Sequence, residues 1–284
     1  KLGVDLQATQ VNHETDSFDS TYDMDAEYAA NNNSPSAPTY FVGSAADLAA
    51  ALTPTVSNDE ATVILTQNIE LADGETWTPL TLAAYGGTVR NIVIDGQGHT
   101  ISNFYQNTWE MKGDHNWYDP IKEQYYRDGM GLFGRVYKGT IKNLTVKNFS
   151  SDGEIATTGV IAAYADFGAT FENIAITNCN PRVYNIGNGG IVGCVGWYTK
   201  GVTDKKVTFK NITVDNSNKI SALWGSYDVA CGGIVGQYYP TSGQTSAGSP
   251  GNAGILFDNC HVSAVMDVYN DVCANYQYYA YRYA

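Results

Sequence analysis

The sequence predicts an all-β fold, a right-handed, single-stranded parallel β-helix (solenoid) with a short N-terminal capping helix, and three observations lead there. The first is a phrase that recurs five times, an apolar residue, two spacers, the second of them Asn, then apolar, spacer, apolar: Val89–Ile94, Ile141–Val146, Phe171–Ile176, Phe209–Val214 and Phe257–Val262. The second is a small-residue phrase that alternates with it, at Gly131–Gly134, Gly159–Ala162, Gly190–Gly193 and Gly233–Gly236. Interleaved phrases of this kind are the mark of a repeat array. The third is composition: 29 Gly, 21 Tyr and only 16% charged residues among 284 favour short strands joined by tight turns.

Residues 1–38 are polar and acidic, end in Asn31–Pro38, and read as an extension or linker that buries little apolar surface. Asp23–Glu27 has the beginnings of a calcium loop. Tyr28 stands where that loop needs Gly and Ser34 where it needs Glu, which rejects the reading. The β-helix domain is assigned to 39–284, with its C-terminal end expected to be truncated. Ser44 and Asp47 have capping-box spacing, Leu48 and Leu52 share a face, and Pro54 stops the run, so a short amphipathic helix is expected over Ser44–Leu52. Placed before the first strands, expected at Ala61–Leu65 and Asn68–Leu71, it would cover the open end of the array.

The phrase Asn residues fall at 91, 143, 173, 211 and 259, so the strand phrases hold while the connectors stretch, unlike the steadier period of helical repeats. A third strand per coil is expected at Glu154–Ala156, Arg182–Asn185, Lys219–Ala222 and Met266–Tyr269. Alternate residues such as Ile174 and Ile176, or Ile212 and Val214, should point inward and stack coil on coil. The recurring Asn has two structural readings: amide ladders at a corner, or a turn residue tolerant of left-handed backbone. The Tyr-rich stretch Asn275–Ala284 is a poor polar cap; either a further coil follows, or the tail folds across the last one.

Cysteines 179, 194, 231, 260 and 273 have no CxxC spacing. They fit a partial disulfide set in an exported protein or, better, small buried hydrophobes. The net charge of −13 argues against nucleic acid or an anionic membrane as partner. No run reaches the ~18 apolar residues of a membrane span.

Asp95–Ile101, Gly131–Val136 and Gly139–Val146 resemble the repeat phrases of GLUG-motif and pectin-lyase-like β-helix proteins of Bacteroides-type bacteria. The resemblance covers roughly residues 40–270. It implies export to the cell surface or beyond, with lipid anchoring through a removed N-terminus, and carries no catalytic assignment. The hydrolases of that fold show paired Asp motifs, Gly-His-Gly and Arg-x-Lys, which this sequence lacks. Asp95, Asp152, Asp166 or Asp215 could form a carboxylate pair only by chance of stacking. His13, His99, His115 and His261 make no metal spacing, and His99 reads as a turn residue. No metal and no cofactor is expected. Gly187–Gly193 opens a strand, without the helix N-terminus a phosphate needs.

Connectors are the functional variable of a solenoid. The longest, Tyr105–Asp128, carries Trp109, Trp117, Tyr118, Tyr125 and Tyr126, and the equivalent corners add Tyr184, Trp224 and Tyr227. Rings flanked by carboxylates and amides suit a sugar; the competing reading is packing over the outer sheet. The expected function is a non-enzymatic, monomeric surface protein, an adhesin or glycan binder with a polysaccharide, surface glycan or protein as partner. The alternatives are a polysaccharide lyase or glycoside hydrolase using Asp114, Asp119 or Glu123, and a structural stalk.

Overall fold

The computed structural model describes residues 37–52, 60–71, 77, 79–81, 91–107, 116–119, 124–127, 129–152, 157–184, 186–196, 206–223, 229–238 and 254–269. All lie in one compact unit, Ala37–Ala284. The chain enters through β1 (Thr39–Val42), turns into α1 (Ala45–Leu52) and continues through β2 (Glu60–Leu65), β3 (Ile69–Glu70) and β4 (Leu80–Thr81). Next come β5 (Asn91–Asp95), β6 (Thr100–Ser102), β7 (Tyr105–Asn107) and a hairpin, β8 (Asn116–Asp119) with β9 (Gln124–Arg127).

Three coils of one plan follow. They are β10 (Phe133–Tyr137), β11 (Thr140–Lys147), β12 (Ser150–Asp152) and β13 (Thr158–Gly159); β14 (Ala162–Asp166), β15 (Thr170–Thr177), β16 (Arg182–Tyr184) and β17 (Ile186–Gly189); and β18 (Val192–Val195), β19 (Val207–Val214), β20 (Lys219–Leu223) and β21 (Val229–Gly232). A further turn begins with β22 (Val235–Tyr238), β23 (Ile255–Asp258), β24 (His261–Val262) and β25 (Val265–Tyr269).

Strands at the same place in successive coils pair in parallel. One sheet runs β1-β2-β5-β11-β15-β19-β23 and a second runs β22-β18-β14-β10-β4, while β16-β20-β25 and β13-β17-β21 form smaller ones. The architecture is therefore the parallel β-solenoid the phrases predict, with one helix among the described residues. It differs in having four strands per coil, not three. The Gly phrase is the reason: it does not form one strand but straddles the corner between the fourth strand and the next coil's first. Gly159, the first residue of its phrase, stacks in register with Gly189 and Gly232, which stand one residue ahead of theirs. A Cβ on any of them would collide with the carbonyl oxygen three residues ahead, at Ala162, Val192 and Val235. The Ser150–Asp152 strand lies ahead of the expected Glu154–Ala156, of which 154–156 fall outside the described residues.

The core is a set of axial rows. Ile94, Ile141, Phe171, Phe209 and Phe257 occupy one register position. Phe171 stacks on Phe209 at 5.0 Å and 7°, and Phe209 on Phe257 at 5.4 Å and 22°. Ile174, Ile176, Ile212 and Val214 are all buried, as their alternation demands. Helix α1 packs against β1 and β4 and buries Leu48 and Leu52 in the same core. Its start is capped as read: the Asp47 N–H donates to Ser44 Oγ at 3.1 Å, and the Gly43 N–H to Asp47 Oδ2 at 3.4 Å. Cys179, Cys194, Cys231 and Cys260 are free thiols, the first two buried, and Cys273 lies outside the described residues. Burial pushes Cys179 up to about 12 and Cys231 to about 11.

Candidate functional site: a neutral groove along the amide corner

Strands β11, β15 and β19 each pass through a corner at the phrase Asn. Asn143, Asn173, Asn211 and Asn259 have φ of 55°, 54°, 53° and 50°, so the left-handed reading holds. The ladder reading holds too. Asn259 Nδ2 donates to Asn211 Oδ1, Asn211 to Asn173 and Asn173 to Asn143, each at 2.8 Å. The first phrase is the exception. Asn91 falls outside this row, and Asn143 donates instead to Asp95 Oδ1 at 2.9 Å, because Asp95 sits opposite Lys142 in the register.

A second ladder stands at the next corner. Asn178 donates to Asn148 at 2.8 Å, Asn148 to Asn103, and Asn103 to Glu70 Oε1. These three asparagines are left-handed as well.

The first corner forms a groove of about 420 Å³. Asn143, Asn173 and Asn211 supply a row of amides, Thr145, Ala175 and Thr213 a parallel row in register, and Gln97 with Gly98 the N-terminal wall. Leu144 and Ile174, whose side chains are buried, complete the floor. No lining residue is ionisable. The Asp95–His99 turn is tied down by Gly96 N–H to Lys142 O and Gly98 N–H to Asn143 O, both at 2.8 Å. His99 enters through its backbone, its N–H bonding Gly96 O and its carbonyl accepting from Thr145, which fits the turn role expected of it.

Beside the amides runs a row of charge. Asp95, Lys142, Glu172, Lys210 and Asp258 occupy one register position and alternate in sign. Lys142 lies 3.3 Å from Asp95 and Lys210 2.9 Å from Glu172. Burial raises the Asp95 carboxyl, yet the Asn143 amide, the Gln97 N–H and Lys142 outweigh it and hold the group below its usual value. Lys210 is raised by its bond to Glu172.

The other carboxylates considered from sequence do structural work. Asp215 accepts from the Ser217 hydroxyl and N–H, from Thr177 and from the Asn218 amide, and the Ser217 bonds lead in holding it low. Asp152 lies 3.9 Å from Arg182. Asp166, the last residue of β14, is fully buried and stands in register with Tyr137 of β10; Tyr137 lies near Arg135, Asp166, Tyr164 and Cys194, and burial pushes its hydroxyl well up. Sequence reasoning missed both this cluster and the groove.

Of the aromatic candidates, Trp117, Tyr118, Tyr125 and Tyr126 belong to one antiparallel hairpin, where Trp117 pairs with Tyr126, Tyr118 with Tyr125 and Asp119 with Gln124. The sequence shows this segment only as a connector; the structure makes part of it a two-stranded hairpin. Tyr184 ends β16. Trp109, Asp114, Glu123, Trp224 and Tyr227 lie outside the described residues. Among the described residues no three His, Cys, Asp or Glu gather as a metal site, and no helix is long and apolar enough to cross a membrane.

No family model matches the chain, so the GLUG resemblance rests on its phrases alone, and no curated protein matches either. Among solved structures, the crystal structure of a "putative immunoglobulin A1 protease" from Bacteroides ovatus is similar, with a TM-score of 0.50 and 20% identity over 82% of this chain. This chain spans 62% of that one's length. At that identity the likeness bears on architecture: the chain shares a parallel-sheet fold with a Bacteroides protein.

Proposed function

We propose that the chain is a non-enzymatic, exported surface solenoid that binds a neutral, extended glycan along the amide corner. One observation carries the reading: in a chain of net charge −13, the groove crossing four coils is lined by amides, hydroxyls and the apolar Leu144, Ile174 and Ala175, with no ionisable group. Amides offer both donors and acceptors to hydroxyls, and their spacing of about 4.8 Å from coil to coil suits a ligand that repeats along its length. An acidic polymer would meet repulsion from the whole molecule and no cation in the groove. The rings of the β8–β9 hairpin are a separate candidate contact for the same class of ligand.

The test is titration of neutral and uronic-acid polysaccharides against the intact chain. Neutral polymers should bind, and Thr213→Arg or Ala175→Arg, which fill the groove and leave the ladder alone, should weaken binding at least tenfold with the melting temperature unchanged. Preference for acidic polymers, or no binding across the panel, overturns the proposal. Release of reducing or unsaturated ends, abolished by Asp119→Asn, would replace binding with cleavage.

A further inference from the structure

The two sides of the groove repeat with different periods. On one side every coil offers the same group, the amide of Asn143, Asn173 or Asn211. An amide has two N–H donors and two lone pairs. Each of these three spends one N–H on the ladder or on Asp95 and accepts one bond from the next coil, so one donor and one lone pair per coil remain for a ligand. On the other side the coils alternate. Thr145 stands in register with Ala175, and Ala175 with Thr213. Among the described residues neither threonine spends its hydroxyl on a protein partner, and the single methyl of Ala175 leaves room between them. The two hydroxyl-bearing positions are two coils apart, about 9.6 Å.

A ligand that matches both sides must advance by one strand spacing per unit and change what it shows along one edge at every second unit. An extended β-1,4-linked hexose chain does both. Each sugar advances the chain by close to one strand spacing. Successive rings are turned over, so one edge shows the secondary hydroxyls of one sugar and then the hydroxymethyl group of the next. Secondary hydroxyls then meet Thr145 and Thr213, and the bulkier hydroxymethyl falls at Ala175, the smallest side chain of that row. An α-1,4-linked chain of the same sugar turns steadily one way and winds into a coil, so its edge leaves a straight row of strands after a few units.

Resting on the reading of the amide corner as a neutral-glycan site, we propose that its ligand is an extended β-1,4-linked hexose polymer. Ala175, between Thr145 and Thr213, sets that choice by accepting the hydroxymethyl group of every second sugar. Cellohexaose and maltohexaose, hexamers of one sugar joined β-1,4 and α-1,4, are titrated against the intact chain by isothermal calorimetry. Cellohexaose should bind at least tenfold more tightly. Ala175→Thr fills the recess with the side chain that both neighbouring coils already carry there, so the fold should hold, as a melting curve checks. The variant should lose at least tenfold in cellohexaose affinity, the scale on which a pocket resists an added methyl-sized group, with maltohexaose unchanged. Xylohexaose, β-1,4-linked but without hydroxymethyl groups, should lose nothing to the same substitution. Maltohexaose binding as tightly as cellohexaose, an unchanged preference in the variant, or equal losses for cellohexaose and xylohexaose overturns this inference and leaves the neutral-glycan reading standing. Binding of no neutral hexamer or polymer defeats that reading, and this inference with it.

Discussion

Asn173 holds φ at 54° while its amide donates to Asn143 and accepts from Asn211, so one side chain answers both a backbone and a hydrogen-bonding demand. The two can be separated. Asn173→Gly removes the ladder bonds but keeps the left-handed backbone, at a cost of about 1–2 kcal/mol for two exposed hydrogen bonds. Asn173→Ala removes the same bonds but keeps a Cβ in that region without the short polar side chain that tolerates it, and should fall about 1 kcal/mol below the Gly variant. Denaturant titration should rank wild type above the Gly variant above the Ala variant; equal losses would mean the backbone angle is irrelevant. Asp95 gives a pH test. Its folded pKa lies below the unfolded value of about 3.9, so its stabilisation is complete above that pH and is lost as pH falls through the lower, folded value. The melting temperature should decline from about pH 4 downward, and Asp95→Asn should flatten that limb while lowering stability at neutral pH. A variant with the parental acid limb would show that Asp95 contributes nothing to it.

The long strands β11, β15 and β19 bury Ile141, Phe171 and Phe209 in one row and Leu144, Ile174 and Ile212 in another. Ile212→Asp places an unpaired carboxylate inside this stack and should abolish folding. Phe209→Ala opens a cavity between two stacked rings and should cost about 3–5 kcal/mol, read by denaturant titration; a loss below 1 kcal/mol would show the stack is loose. Native-state labelling with a thiol reagent should leave Cys179 and Cys194 unmodified until the chain unfolds. At this scale the sequence was readable wherever residue type and register coincide. Asn143, Asn173 and Asn211 announce the corner because only residues tolerant of left-handed backbone fit it. Asn91 misled, since it wears the same phrase but stands before the corner, where Asp95 does the work. The alternation of Lys142, Glu172, Lys210 and Asp258, each just before its Asn, was visible as letters, yet its meaning depends on which strands lie side by side. The groove was not visible for a related reason: it is made by backbone bending, and the row that faces its asparagines is ordinary Thr and Ala. The fourth strand hid in the Gly phrase, whose spacing is set by a carbonyl collision that no hydrophobic pattern reports.

For the whole array, far-ultraviolet dichroism should show mostly strand with helix far below the 30–35% or so of ordinary domains; a helix content above about one quarter would refute the solenoid. Leu48→Asp should lift α1 from the first coils and expose their edge, so we expect aggregation on heating at a lower temperature than wild type; an unaltered melt would show the helix is not a needed cover. The two amide ladders give the array a direction. In both, every amide donates toward the N-terminal end, and both finish there on a carboxylate, Asp95 in one and Glu70 in the other. Aligned amides polarise one another, and an anion at the donor end complements the column as it would the N-terminus of a helix. Synthesis on the ribosome runs from that same end. The acidic anchor emerges first, then each coil arrives carrying the donor for an acceptor already in place, so the array can assemble as a ratchet, one turn at a time, without waiting for the rest of the polypeptide.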